Sequence, residues 1–234
     1  NRQEGLRLLW VFLEPVGQMM ILILIFRLIG RAPSYGDSFA LFLLSGIVIL
    51  TMFTTGSQLV MGAVTGLSSP GRLPAVGLFH EAIARLFFTL ITGAIYTAIL
   101  MWGVGVVDRV AVGPAHPTRA AGAFLWIGLA AFGVGLVRGY CALYLPPVER
   151  VYAILSRGLI SVSGVFFAPS FMPPQLRDLL SWNPVLQAVE LMRLGVYAEY
   201  PTIVYAPDYL IAFALGATTL GVTLVWRRRA ELLG

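Results

Sequence analysis

Few side chains in this sequence can do chemistry, and those that can are arginines set in apolar surroundings. Arg157 stands inside the apolar run 151–168, and Arg138 and Arg27 lie in two other runs. A charge inside hydrocarbon costs roughly 2.5–3.5 kcal/mol on insertion scales, so such an arginine either snorkels to an interface or serves a polar ligand. Its guanidinium fork suits phosphate or carboxylate. On a helix, Arg157, Ser161, Gly164 and Ala168 share a small polar face, with Leu155, Leu159, Val162 and Phe166 opposite. That polar face is a candidate lining for a passage, with interfacial anchoring of Arg157 as the plain alternative. Arg138 and Arg27 lie nearer the ends of their runs, where snorkelling is the plainer reading; both remain secondary pathway candidates. Glu190 and Arg193, three apart on a helix, read as a structural ion pair.

Other chemistries are excluded by what the sequence lacks. All 16 basic residues are Arg, so a phosphate-binding loop of the GxxxxGK[ST] kind and a Schiff-base lysine are both impossible. ATP, if it drives this protein, is bound by another chain. A single cysteine, Cys141, rules out an intrachain disulfide and a multi-thiolate metal site, and two histidines, His80 and His116, make a His-based metal site improbable. No cofactor is expected in this chain. A net charge of +5 would suggest nucleic acid in a soluble protein, but topology absorbs it here, and no nucleic-acid partner is expected.

The elements that position these residues belong in a membrane. Hydrophobic residues make up 58% of the chain against 12% charged, and the mean hydropathy is +0.84. That composition excludes a soluble domain. Six runs are long enough to cross about 30 Å of hydrocarbon: 9–29, 39–63, 82–107, 120–144, 151–168 and 209–226. Arg2, Arg7, Arg72, Arg150 and Arg227 to Arg229 fall on one side, while Asp37, Asp108, Asp178, Glu190, Glu199 and Asp208 fall on the other, with Arg31, Arg109, Arg119, Arg177 and Arg193 dispersed among them. The positive-inside rule then places both termini in the cytoplasm. Trp10 and Trp226 lie near the inner interface, and Trp102, Trp126 and Trp182 near the outer one, as an aromatic belt. The first run is long and lacks an A-x-A site, so no cleavable signal peptide is expected. No repeat or separate hydrophilic domain stands out.

Between the last two runs lies an apolar block, SGVFFAPSFMPPQLRDLLSWNPVLQAVELMR, broken by Pro169, Pro173, Pro174 and Pro184. No straight spanning helix can run through it, yet it is too apolar for an aqueous loop. Irregular backbone at membrane depth requires protein or a water-filled cavity around it. The block therefore reads as a hairpin dipping into one leaflet. Within it Phe166, Phe167 and Phe171 are aromatic candidates for stacking on a ligand or closing a gate; packing between short helices is the alternative. On the second run Thr51, Thr54, Thr55, Gln58 and Gly62 share a face suited to interhelical hydrogen bonds, and Ala131, Gly135 and Gly139 on the fourth form a small-xxx-small packing row.

Taken together, GLRLLWVFLEPVGQMM at the N-terminus, FLLSGIVILTMF in the second run and the SGxFF, WNP and E-x-x-R order before the last run resemble the permease subunit of ABC-2 type exporters, in the capsular polysaccharide branch. The resemblance covers nearly the whole chain. It implies one all-α polytopic domain over residues 1–234, with six transmembrane helices, a re-entrant periplasmic hairpin at about 169–206 before the last, and both termini cytoplasmic. It implies an inner-membrane homodimer that pairs with two copies of a cytoplasmic ATPase carrying ATP and Mg, works with periplasmic and outer-membrane export proteins, and passes a lipid-linked polysaccharide between its subunits. The chain itself would be no enzyme. The TGLSSPGRLPAVGLFHE connection would hold the element that couples to the ATPase, with Arg72, Leu73 and Pro74 in contact and His80 and Glu81 flanking. The plain alternative there is an interfacial loop with an i,i+4 pair between Glu81 and Arg85. LPPVER, 145–150, is a second cytoplasmic connection and a secondary coupling candidate.

Neighbouring readings are an ABC-2 permease for O-antigen, teichoic acid or a lipophilic drug. From other classes come an intramembrane hydrolase, which lacks a nucleophile–base pair within the spans, and a secondary transporter, which would carry a mid-span carboxylate or symmetric broken helices.

The topology is testable by thiol labelling. In a Cys141→Ser, Ala115→Cys variant, an impermeant reagent should label intact cells. Labelling seen only after lysis reverses the orientation.

Overall fold

The computed structural model describes residues 17, 20, 21, 24, 25, 34–66, 78–110 and 113–227. Their regular structure is helical throughout: α1 Phe39–Thr65, α2 Leu78–Asp108, α3 Pro117–Tyr144, α4 Pro146–Val162, α5 Pro174–Leu180, α6 Pro184–Val196 and α7 Pro207–Arg227, with a 3-10 turn at Pro169–Phe171. Five of these helices begin on a proline, whose missing N–H costs nothing in a first turn. At α1 the Ser38 side chain takes the cap, accepting from Leu41 N at 3.1 Å.

Among the described residues four helices, α1, α2, α3 and α7, are long and apolar enough to cross a membrane. They correspond to the expected runs 39–63, 82–107, 120–144 and 209–226. Of the run 9–29 the described residues Gly17, Met20, Ile21, Leu24 and Ile25 are helical, and Arg27 lies outside the described residues. The run 151–168 is corrected. Its helix, α4, starts earlier and stops at Val162 after 17 residues, about 25 Å at 1.5 Å per residue and short of the hydrocarbon thickness. The chain breaks because Gly164 takes a left-handed conformation with φ +72°. Gly164 and Ala168 therefore leave the helical face that Arg157 and Ser161 occupy.

The long apolar helices sort by burial. α1 is buried along most of its length, since apolar residues surround it on all sides. α3 packs against it through the small-residue row: Ala131 meets Gly56, and Gly135 and Gly139 face Val60 and Val64. α7 seats on the other side of α3 in a close backbone approach, where a Cβ on Gly133 would lie 2.3 Å from the Thr218 backbone nitrogen. α2 and α7 leave their outer faces bare, Ile91, Ile99 and Trp102 among them. Trp182 and Trp226 are likewise exposed, whereas Trp126 packs against the core.

α6 is a short helix that is almost wholly buried. It lies against α1 and α3 at the end of the bundle marked by the α1 N-terminus, where Ser38 donates to Asp108, Tyr35 donates to the Glu199 carbonyl and His116 N donates to Gly195 O at 2.8 Å. α4 differs from every long helix. No residue in it is buried, and only Leu159 and Ile160 in its last turns lean on the core.

Close approach at Gly133 fixes a stability prediction. A methyl there meets backbone that cannot rotate away, so Gly133→Ala should destabilise by about 3 kcal/mol, the upper end of ordinary overpacking. Gly158→Ala on α4, where a Cβ meets nothing within 4 Å, should be neutral. Thermal unfolding in detergent, followed by circular dichroism, compares the two.

Candidate functional site

Two polar clusters stand out from the apolar bundle, one at each end of α4. The first is built on α6. Its sequence, PVLQAVELMR, places Gln187, Glu190 and Arg193 among residues that are otherwise apolar, and all three are fully buried. Burial of a cation is tolerable only when every donor is used and a counter-charge is near. Arg193 meets that demand. Its Nη1 donates to Glu190 Oε1 at 3.4 Å and to Phe167 O at 3.1 Å, its Nη2 donates to Gly164 O at 2.6 Å, and its Nε reaches Ser45 Oγ at 3.4 Å. The guanidinium also lies 3.8 Å over the Phe42 ring.

Glu190 is satisfied in turn by hydroxyls beyond α6. Tyr200 donates to Oε1 at 2.8 Å and Thr202 to Oε2 at 2.7 Å. Burial raises the pKa of the Tyr200 hydroxyl, which keeps it a donor. Gln187 ties the last loop, its amide nitrogen donating to Ser181 O and Val204 O and its oxygen accepting from Ala206 N. Asn183 closes the arrangement. Its oxygen caps α6 by accepting from Val185 N at 3.0 Å, while its nitrogen donates to Val162 O and Ser163 Oγ at the end of α4. Arg193 of the E-x-x-R element thus holds the SGVFF turn by its carbonyls, and Asn183 of the WNP element holds the turn's start through Val162 O and the Ser163 hydroxyl.

The second cluster surrounds Arg138 near the other end of α3. Arg138 is 8% exposed, which overturns the snorkelling reading: partners on two other helices satisfy the guanidinium inside the protein. Glu149, in the first turn of α4, takes both prongs of the fork, at 3.2 Å on Nε and 2.7 Å on Nη2. Ser57 and Gln58 of α1 accept at 2.9 and 2.7 Å, and the Tyr152 ring lies 4.3 Å from the guanidinium carbon. Beside this cluster is an open cavity of about 330 Å³, lined by Thr54, Thr55, Gln58, Arg138, Tyr152 and Ser156 among others. On the expected hydroxyl face of α1, Gln58 makes the interhelical bond, whereas Thr54 bonds back to Leu50 O within its own helix.

The remaining candidates scatter. Arg157 and Ser161 are exposed on α4. Gly164 is buried in the turn, Phe166 is half-buried against the core, Phe167 contributes its carbonyl to Arg193, and Phe171 is 67% exposed. These residues do not form one lining with Arg138. Arg72, Leu73 and Pro74 lie outside the described residues. His80 is exposed, and Glu81 pairs with Arg85 at 3.2 Å as the plain alternative had it. Sequence reading missed Ser57, Glu149 and Tyr152, which stand 81, 11 and 14 residues from Arg138 and carry no shared periodicity; the sequence signal nearest to them was the proline-led LPPVER segment.

An all-helical chain with several membrane-crossing helices and a polar network sealed inside one end is a multi-pass membrane protein. No protein-family model matches it. The chain is 28% identical over 228 residues to the polysialic acid transport protein KpsM of Escherichia coli, covering 96% of this chain and 86% of that one. It is 23% identical over 225 residues, 96% of this chain and 84% of the other, to the capsule polysaccharide export inner-membrane protein CtrC of Neisseria meningitidis. BexB of Haemophilus influenzae, of the same description, is 22% identical over 231 residues, at 95% and 84% coverage. The chain is a homologue of these capsule-export proteins along nearly its whole length, as the motifs implied, and is a multi-pass inner-membrane protein.

Breaking the buried pair should be costly. Arg193→Met leaves Glu190 without its counter-charge and frees the carbonyls of the turn, and a loss of about 3–5 kcal/mol is expected. Glu190→Gln should cost a comparable amount, and the double variant less than the sum, because each single change already strands the partner. Denaturant unfolding of the three variants in mixed micelles gives the cycle.

Proposed function

We propose that this chain is the membrane-spanning permease subunit of an ATP-driven exporter of capsular polysaccharide. The observation that carries this reading is similarity over 95–96% of this chain to relatives named for polysaccharide transport or capsule polysaccharide export. The SGxFF, WNP and E-x-x-R elements support it, since they fold into one hydrogen-bonded unit. The role is transport, with no bond made or broken in this chain.

In this reading α4, continued by the SGVFF turn that follows it, makes the fifth of six membrane crossings, segment 169–206 is the re-entrant periplasmic hairpin, and both termini are cytoplasmic. The subunit forms a homodimer and docks two copies of a separate ATPase, which holds ATP and Mg. The connection carrying Arg72, Leu73 and Pro74, flanked by His80 and Glu81, is the coupling element. The lipid-linked polysaccharide passes between the subunits and on to periplasmic and outer-membrane export proteins. The absence of any buried residue in α4 supports its placement at such a path, because a helix that buries nothing in its own subunit has a face left for a partner or cargo. Arg157 and Ser161 lie exposed on it, so the polar face they begin remains a candidate lining, shortened to the residues before Val162.

Surface polysaccharide in the native host tests the reading. Deleting the gene should abolish it and the wild-type chain restore it. Arg157→Gln should leave protein level and ATPase copurification intact while export falls about tenfold, as expected for one lost charge-assisted contact of roughly 1.5–3 kcal/mol. Arg157→Lys should be intermediate, since a lysine keeps the charge but not the fork. Wild-type export by both variants makes Arg157 an interfacial anchor, and export that persists without the gene overturns the permease role.

A further inference from the structure

The cavity between α1 and α4 has an asymmetric cation. Of the described residues that line it, Arg138 alone carries a charge, and Glu149, which neutralises it, is not among them. The two sets of partners also differ in how firmly they are held. Ser57 and Gln58 belong to α1, one of the best-buried helices in the structure. Glu149 and Tyr152 belong to α4, which buries no residue. If the first turn of α4 moves, Arg138 keeps its neutral acceptors and loses its charge partner. A guanidinium with 8% exposure cannot stay uncompensated at small cost. Whatever displaces Glu149 must therefore bring a negative charge with it.

The chemistry of that replacement is legible in the lining. Glu149 grips Arg138 through two parallel bonds, and a phosphate presents the same two-oxygen edge to a guanidinium. It also has further acceptor oxygens, for which donors stand ready. Gln58 gives its carbonyl oxygen to Arg138, so its NH₂ group faces away from the cation. Thr55 adds an exposed hydroxyl on the same wall. A cavity of about 330 Å³ admits a phosphate with room for the group attached to it.

We propose that Arg138 is an anion-exchange site at the N-terminal end of α4, where the phosphate of a membrane-derived or free phosphate compound competes with Glu149 for the guanidinium fork. Binding and release of the α4 end are then one event, because the carboxylate leaves the fork as the phosphate arrives. The proposal rests on the reading of α4 as a helix at the transport path, and names the chemistry that engages it.

The test is a titration of the full chain in phosphatidylcholine nanodiscs with inorganic phosphate, read by microscale thermophoresis. Glu149→Gln removes the competitor and keeps the cation, so phosphate should bind roughly tenfold tighter than to wild type, the worth of one charge-assisted contact. Arg138→Gln with Glu149→Gln should abolish binding. Equal affinity of Glu149→Gln and wild type, or binding that survives in the double variant, overturns the proposal. Should Glu149→Gln fail to accumulate, Glu149→Asp, too short for the two-pronged grip, carries the same comparison with a smaller gain. Nanodiscs doped with phosphatidic acid separate the sources: suppression of phosphate binding in Glu149→Gln supports a lipid headgroup, and no suppression supports a free phosphate compound. Neither readout involves polysaccharide. Loss of the phosphate effect leaves the export reading standing, and loss of export with phosphate binding intact removes that reading alone.

Discussion

Arg193 is fully enclosed, and most of what is irregular in this protein is arranged around it. A buried guanidinium demands acceptors on several sides, and only backbone that has left the helical pattern can offer free carbonyls in one place. The SGVFF turn supplies three, at Gly164, Val165 and Phe167. Cause and effect run both ways: the turn is stable at the end of an apolar bundle because the cation collects its carbonyls, and the cation is tolerated because the turn exists. Glu190 balances the charge one helical turn earlier and extends the network to Tyr200 and Thr202.

That network rigidifies one end of the molecule. Asn183 links the C-terminus of α4 to the N-terminus of α6, Gln187 secures the loop before α7, and Ser45 brings α1 into the same system. Along the bundle, α1, α3 and α7 hold together mainly through small residues that let backbones approach, with a few polar bonds added, those of Arg138 to α1 and of Thr218 to Leu129 O. Rigid packing and a polar keystone together give α4 a fixed pivot at its last turn.

The other end of α4 has neither kind of support. Among the described residues, the side-chain bonds that tie it to another helix are those of Glu149 to Arg138, backed by the Tyr152 ring. A helix pinned at one end and held by an exchangeable ion pair at the other is suited to swinging. Of the helices longer than two turns α4 alone buries no residue, so motion confined to it would leave the packed core intact.

The sequence by itself determined the membrane class, four of the helical spans, the proline breaks before the last span and the exclusion of lysine and multi-cysteine chemistry. These follow from local quantities: apolar run length, the backbone donors that prolines remove from a helix, and residue types that are simply absent. It also marked the E-x-x-R pair as structural, because three-residue spacing puts both charges on one helix face. What Arg193 and Arg138 do was decided by tertiary structure alone. Arg193 finds Ser45 at 148 residues' separation and Arg138 finds Gln58 at 80, and no periodicity connects positions that meet through helix packing. The end of α4 at Val162 was hidden for the same reason. An apolar run through Gly164 reads as continuous helix until a distant arginine gives its carbonyls somewhere better to point.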